Sequence, residues 1–204
     1  MKRIFCAFFI SYCPLVIIYW LLMIIFVKQF KITTMIKAKV QSALNDQIKK
    51  EEFSSRLYLA MAIWCEINGY PGASKFLYQH AEEERVHMMK LVHYVNERDG
   101  KAQLMDIERP TDEFDSLLDL FEKVMEHEKF ITEAISELYE VALKEKDYTT
   151  MNFLQWYITE QLEEESLFKT ILDKIKLVGN DKAGMFHIDK DLDGMVTAAD
   201  PVVE

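Results

Sequence analysis

The chain has 204 residues, of which 50% are hydrophobic and 28% charged, with only six glycines and four prolines. This composition is that of one ordinary globular domain and excludes an extended disordered protein. The three cysteines, Cys6, Cys13 and Cys65, are odd in number and lack CxxC spacing. Their pattern excludes a disulfide framework and a zinc module and indicates a reducing compartment.

Charge is distributed unevenly along the chain. All 34 acidic residues and 20 of the 24 basic residues lie after residue 34, so this part carries a net charge of −14. Such a charge repels nucleic acid and anionic membrane surfaces, and it favours cations as partners. We therefore expect no nucleic-acid partner.

The first 34 residues differ from the rest. Residues 4–27 carry no charge and are flanked by basic residues at positions 2, 3 and 28, and this run of 24 residues is long enough to cross a bilayer as a helix. Three interpretations stay open. Translation starts at Met35, where an amphipathic pattern begins; or residues 1–34 are a membrane anchor; or they are a signal peptide, although no small-x-small cleavage site follows. We expect a membrane partner only if residues 1–34 are translated.

Glycine and proline divide the remaining chain into uninterrupted segments. The stretches 37–67 and 73–98 each suit one helix, whereas 111–178 is too long for a single globular helix and divides near residues 146–149. Residues 98–113 join the first pair of predicted helices to the second pair. The pattern predicts an all-α four-helix bundle with one long crossover, over residues 35–180.

Each predicted helix carries an apolar stripe that polar side chains interrupt at mid-length. Stripes of this spacing form the buried face of a bundle helix. One buried glutamate without a partner would be costly and would by itself indicate a helix edge, but here all four helices have such an interruption. The interrupting residues are Glu51, then Glu84 and His87, then Glu128, and finally Gln161 and Glu164.

The interruptions recur with one spacing. An offset of 77 residues relates Glu51 to Glu128, Glu84 to Gln161, and His87 to Glu164. Counted from the tight turn within each helix pair, the two sets also lie at the same depth. We therefore predict two helical hairpins related by an approximate two-fold axis that passes between two metal ions.

The first of these ions has three candidate ligands. Glu84 and His87 are three residues apart, so they share a helix face and can reach the same ion, and Glu51 completes its shell. Tyr58 lies seven residues after Glu51 on the same stripe. It is placed to hydrogen-bond near the site or to supply an electron, and the alternative is a core tyrosine.

The second ion would be held by Glu128 and Glu164, with Glu84 as a bridge. Gln161 offers either a neutral oxygen or a hydrogen bond. Four carboxylates and two divalent cations together form a neutral site, whereas the same carboxylates without metal are a buried cluster of like charges. Oxygen and imidazole ligands suit iron, manganese or zinc, and redox chemistry at iron is the use that we favour.

Four segments resemble the signatures of bacterial non-haem ferritins, and the resemblance covers Met35 to about Asp191. The segments are Glu51-Glu52-Phe53-Ser54-Ser55-x-x-Tyr58, His80-Ala81-Glu82-Glu83-Glu84-x-x-His87, Phe153-Leu154-Gln155-Trp156-Tyr157 and Glu160-Gln161-x-Glu163-Glu164-Glu165. The resemblance implies a ferroxidase centre on Glu51, Glu84, His87, Glu128, Gln161 and Glu164. It also implies a third iron site from Glu83, Glu160 and Glu163, a short fifth helix after Gly179, and a hollow shell of 24 subunits.

The expected function is therefore iron storage by a cytoplasmic homo-oligomer that acts as a ferroxidase. It would oxidise two Fe(II) ions per subunit with dioxygen or hydrogen peroxide and deposit a ferric mineral inside the shell. The alternative is a di-iron oxidase or peroxide reductase that retains its metals. This alternative is disfavoured because the chain has no CxxC pair and because Gln161 stands where a symmetric cofactor site would have a glutamate.

Two further patterns have simpler interpretations. Asp189, Asp191, Asp193 and Asp200 follow the spacing of an EF-hand loop, but only four residues follow, so we interpret 181–204 as a short helix with a solvated acidic tail. The remaining histidines and methionines that we considered are expected to lie on the surface or to pack, without binding metal or haem. These residues are His93, His127, Met88 and Met89.

Overall fold

The computed structural model describes residues 35–196 and consists there of five helices without a strand. The helices are α1 (Ala38–Ile67), α2 (Pro71–Glu97), α3 (Leu117–Lys144), α4 (Tyr148–Val178) and α5 (Lys182–Met195). The prediction of an all-α four-helix bundle with a short fifth helix is confirmed. The expectations for residues 1–34 and for the tail beyond residue 196 lie outside the described residues.

Two antiparallel hairpins, α1/α2 and α3/α4, build the bundle, and a long connection from Arg98 to Ser116 joins them. The predicted start of the third helix was early, because its N-cap is Ser116, whose hydroxyl accepts a hydrogen bond from the Asp119 backbone N–H at 3.1 Å. The second helix starts at Pro71 and not at residue 73, since proline fits the first turn of a helix, where its missing N–H costs nothing.

The apolar core is divided into two clusters by a layer of polar side chains. One cluster includes Tyr58, Phe121 and Phe168, and the other includes Leu44, Leu91 and Tyr157. The buried glutamates, histidine and glutamine predicted from the stripes form the layer between them. The bundle therefore holds its candidate ligands between two apolar masses that exclude water from both sides.

Helix α5 packs against the start of α2. The Asp189 carboxylate accepts hydrogen bonds from the backbone N–H groups of Gly72 at 3.1 Å and Ala73 at 2.8 Å, and so caps α2 from a distant part of the chain. A Cβ atom at Gly72 would lie 1.8 Å from the Asp189 carbonyl oxygen, so only glycine permits this approach.

The spacing that resembles an EF-hand has another role here. Asp189 caps α2, Asp191 pairs with Lys174 at 3.3 Å, and Asp193 pairs with Lys75 at 2.8 Å. All three aspartates lie on a helix and not in a calcium loop. The expectation of a solvated tail was wrong for Asp189, because it docks α5 onto the bundle.

Among residues 35–196, no helix is long and apolar enough to cross a membrane.

We expect Asp189→Ala to lower the free energy of unfolding by about 1 kcal/mol, the usual cost of a lost N-cap. Asp191→Ala is the matched control on the same helix, because it removes only an exposed ion pair and should change stability by less than about 0.5 kcal/mol. Guanidinium unfolding of both variants measures the difference. Equal effects of the two substitutions would contradict the capping role.

Candidate metal centre

The six predicted ligands of the two-ion centre all lie in the polar layer at mid-bundle. Their exposed fractions range from 1% to 9%, so each is buried although none is apolar. Helix α1 contributes one of them, α2 two, α3 one and α4 two. These residues are Glu51, Glu84, His87, Glu128, Gln161 and Glu164.

One half of the centre is compact. Ligand atoms of Glu51, Glu84 and His87 all lie within 4.8 Å of one another. The His87 Nδ1 atom is 3.6 Å from Glu84 Oε2, and its Nε2 atom is 3.8 Å from Glu160 Oε1. One imidazole nitrogen therefore faces the candidate ion site, while the other faces a carboxylate that can fix the ring orientation, as is usual for histidine ligands.

The other half is organised by hydrogen bonds around Glu128. The Tyr58 hydroxyl donates to Glu128 Oε1, and the Gln161 side-chain amide donates to Glu128 Oε2 at 3.0 Å. Of the two roles that the sequence left open for Gln161, the structure has the hydrogen bond. Glu128 does not belong to the groups of described histidine, cysteine and acidic residues whose ligand atoms come within 4.8 Å of one another.

Glu164, the last predicted ligand, meets a residue that the sequence reasoning did not select. His80 Nε2 lies 3.7 Å from Glu164 Oε2, and His80 Nδ1 lies 3.7 Å from Glu83 Oε2. Ligand atoms of these three residues are within 4.8 Å of one another. A signal for His80 was present, because it is seven residues before His87 on the same stripe of α2 and precedes an acidic residue at three-residue spacing.

The residues predicted for a third iron site line one cavity. Glu83, Glu160 and Glu163 border a space of about 340 Å³ together with His80 and Glu164. Only Glu83 among the three predicted residues joins the compact group, since Glu160 faces His87 and Glu163 is exposed. The cavity therefore adjoins the two-ion centre through Glu164, which borders both.

Burial shifts the acidity of the carboxyl groups. Desolvation, and next the neighbouring Glu84 carboxylate, raises the pKa of Glu51 well above its ordinary value. Desolvation and then Glu128 raise the pKa of Glu84 well above its ordinary value, and the same causes raise the pKa of Glu164 to about 8. The Oε2 atoms of Glu84 and Glu164 are buried without a hydrogen-bond partner among the described residues. Such oxygens fit cations.

The aromatic and imidazole neighbours of the centre stay neutral. Burial, and next the Glu128 charge, raises the pKa of Tyr58 well above its ordinary value, so its hydroxyl keeps the proton that it donates to Glu128. His127 forms a 2.8 Å hydrogen bond with Ser54, and burial lowers its pKa to about 4. His127 therefore packs, as predicted, and His93 is exposed.

The two methionines considered above pack in the core. Met88 is 6% exposed within the second apolar cluster, and Met89 packs against that cluster.

Comparisons with known proteins agree with this arrangement. The family model described as a ferritin-like domain matches residues 41–178. The chain belongs to the ferritin family. The matched segment contains all of the candidate ligands described above, from Glu51 to Glu164. Within this ferritin chain the polar layer is thus part of the domain that defines the family.

The alignments of this ferritin with individual relatives cover nearly the whole length of each relative. A bacterial non-heme ferritin from Campylobacter jejuni is 49% identical over 156 residues, which are 76% of this chain and 93% of the relative. A bacterial non-heme ferritin from Escherichia coli is 42% identical, with 80% and 99% coverage. The crystal structure of an open-pore ferritin from Archaeoglobus fulgidus superposes with a TM-score of 0.77 at 43% identity, over 79% of this chain and 98% of that one.

The metal-free protein should lose stability as the pH rises. Glu164 has a pKa of 4.5 as its ordinary value and about 8 in the fold, so between these values the unfolded chain is ionised while the folded chain keeps its proton. Stability from this group is complete below the lower value and lost above the higher one. The loss is at most about 1.4 kcal/mol per pH unit for one such carboxyl.

Guanidinium unfolding of the metal-free protein between about pH 5 and pH 8 measures this slope. Glu164→Gln should flatten it, because the amide does not ionise. Glu137→Gln, at an exposed position of α3, serves as the control and should leave the slope unchanged. A slope that is the same in all three proteins would refute the buried acidic form of Glu164.

Proposed function

We propose that this chain is the subunit of an iron-storage ferritin and that its polar layer is a ferroxidase centre. The observation that carries the proposal is the group of Glu51, Glu84 and His87, whose ligand atoms lie within 4.8 Å of one another in the interior of the bundle. Carboxylate oxygens with one imidazole suit Fe(II), and burial in a water-excluding layer makes a cation the natural compensating charge.

In this proposal the carboxylates bind iron as their protons leave. Glu51 and Glu84 with His87 hold the first Fe(II), and Glu84 bridges to a second Fe(II) at Glu128 and Glu164. Each Fe(II) gives up one electron, and dioxygen takes both electrons and two protons to become hydrogen peroxide. When hydrogen peroxide is the oxidant, it takes up two electrons and two protons and becomes two water molecules.

Tyr58 and Gln161 shape the second half of the centre by donating to the two oxygens of Glu128. With both donors in place Glu128 keeps one orientation, so the second ion meets a preset carboxylate. The neutral amide of Gln161 adds no negative charge. The four ligand carboxylates therefore carry a total charge of −4, which balances two Fe(II). Two Fe(III) ions exceed this charge, so oxidised iron leaves more readily than it would with a fifth carboxylate.

We propose a third iron site at the cavity that Glu83, Glu160 and Glu163 line, with His80 and Glu164 as further ligands, since ligand atoms of these two lie within 4.8 Å of one of Glu83. Glu164 would be shared with the two-ion centre, so an ion passing from one site to the other keeps a ligand. Glu160 and Glu163 line the adjoining cavity and make it acidic. This arrangement supports movement of iron away from the centre and toward a mineral.

Storage requires a container, and we propose a homo-oligomeric shell, of 24 subunits by the family resemblance. The described part of the chain leaves several large apolar side chains exposed, which contacts between copies would cover. They include Leu177 at 88%, Ile67 at 76%, Leu162 at 72%, Leu104 at 71% and Phe186 at 68%. We also propose a cytoplasmic location, in keeping with the free and buried thiol of Cys65.

His87→Ala tests the oxidation centre. The variant should fold and assemble but oxidise the first Fe(II) ions at least about tenfold more slowly, because one half of the centre loses its imidazole. Stopped-flow absorbance under air measures the rate. His93→Ala, which removes an exposed histidine from the same helix, is the control and should oxidise iron as the parent does. Equal rates in the two variants would exclude His87 from the centre.

The storage role predicts a large hollow particle that accepts many more ions than the two per chain of a retained di-iron cofactor. We expect residues 35–204 to elute in gel filtration at many times the mass of one chain, and iron added under air to elute with the protein. The same measurement separates storage from the di-iron oxidase alternative. A stable single chain that keeps only two irons would support that alternative and contradict storage.

A further inference from the structure

Gln47 is a fully buried polar residue that lies beside the centre and has no place in the ligand set. It is 0% exposed, and its side-chain amide donates a 2.8 Å hydrogen bond to Glu51 Oε1. The two residues are four apart on α1, so they face the same side of the helix. Glu51 thus accepts from Gln47 at one oxygen, and its carboxyl also shares a hydrogen bond with that of Glu84.

In the second half of the centre, the corresponding carboxylate receives its amide hydrogen bond from a different helix. Val124 is the residue that the 77-residue offset relates to Gln47, and it is apolar and fully buried. The carboxylate equivalent to Glu51 is Glu128, which takes its amide hydrogen bond from Gln161 of α4 at 3.0 Å. In each half a glutamine amide thus donates to a glutamate, which is Glu51 in the first half and Glu128 in the second. The two glutamines are not related by the 77-residue offset.

The Gln47 side chain is otherwise poorly accommodated. Its Oε1 atom is buried and has no hydrogen-bond partner among the described residues. An unpaired buried acceptor is costly, because it has lost its hydrogen bonds to water without gaining others. This oxygen therefore does not stabilise the fold, and the useful part of the Gln47 side chain is the N–H group that it donates to Glu51.

We propose that Gln47 is a positioning residue of the ferroxidase centre, which holds the Glu51 carboxylate in the orientation that receives the first metal ion. The inference rests on the proposed function. Without the amide, Glu51 can rotate, and its carboxylate can be bound through either oxygen or both. An ion at this half is then held less tightly and in a different geometry, while the residues of the other half keep their contacts.

Gln47→Met tests this role, because methionine is unbranched, similar in length and apolar. The chain offers a matched control in Gln79→Met. Gln79 donates a hydrogen bond of the same 2.8 Å length to Glu83 Oε1, again four residues later on its own helix. Glu83 belongs to the proposed third iron site and is not a ligand of the first ion. Both substitutions thus remove the same amide from the same kind of Gln–Glu pair.

Co(II) is the probe, since its visible absorption reports both occupancy and coordination geometry. In titrations of the metal-free full chain, Gln47→Met should bind the first Co(II) about tenfold more weakly than the parent and with a changed spectrum. Gln79→Met should bind this first ion as the parent does. Gln47→Met removes an unpaired acceptor but also leaves Glu51 Oε1 without its donor, so the thermal unfolding midpoint of the metal-free variant should change little. With Fe(II), KM should rise more than kcat falls.

Two results would overturn the proposal. The first is a Co(II) affinity and spectrum of Gln47→Met that match the parent. The second is a first-ion affinity that falls as much in Gln79→Met as in Gln47→Met, which would indicate a general effect of losing an amide. If the parent binds Co(II) but does not oxidise Fe(II), the ferroxidase proposal fails, and the Co(II) titrations still decide the role of Gln47.

Discussion

Six polar side chains cross the apolar interior of this bundle at one level, and the cost of burying them governs the rest of the structure. Carboxylates that face one another without water cannot all stay ionised, and the raised pKa values of Glu51, Glu84 and Glu164 express that conflict. The layer is stable when some of these carboxyl groups are protonated, and a bound divalent cation would stabilise their ionised forms.

The surrounding structure keeps this layer in register. Apolar clusters above and below the layer seal it from water, and the two hairpins bring helices with equivalent ligands to the same height. Arg98, at the C-cap of α2, pairs with Asp147, at the N-cap of α4, through bonds of 3.1 and 3.2 Å, and so ties the hairpins together at one end. Asp189 docks α5 onto the start of α2. Because these contacts lie at the helix ends, they do not involve the polar side chains at mid-bundle.

The two halves of the centre have different surroundings, because some residues around them depart from the internal repeat. The offset of 77 residues pairs His80 with Tyr157, and the Tyr157 hydroxyl donates to the His87 backbone carbonyl at 2.8 Å instead of offering a metal ligand. The position that the repeat relates to His80 therefore carries no imidazole. The acidic cavity of about 340 Å³ adjoins the His80 side. In the proposed function, this asymmetry would give iron a preferred route away from the centre.

The sequence by itself determined the helices, their pairing and the six polar residues of the mid-bundle layer, since helical periodicity and a constant offset are local properties that can be counted along the chain. Only the tertiary structure decided which partners these residues meet. Gln47 was not recognised as the donor to Glu51, and His80 was not recognised beside Glu164, although both lie on helices that were predicted correctly. Stripe positions give the face and depth of a residue, whereas hydrogen bonds depend on rotamers and on the neighbouring helix. The capping of α2 by Asp189 joins residues 117 positions apart, and no local pattern contains that contact.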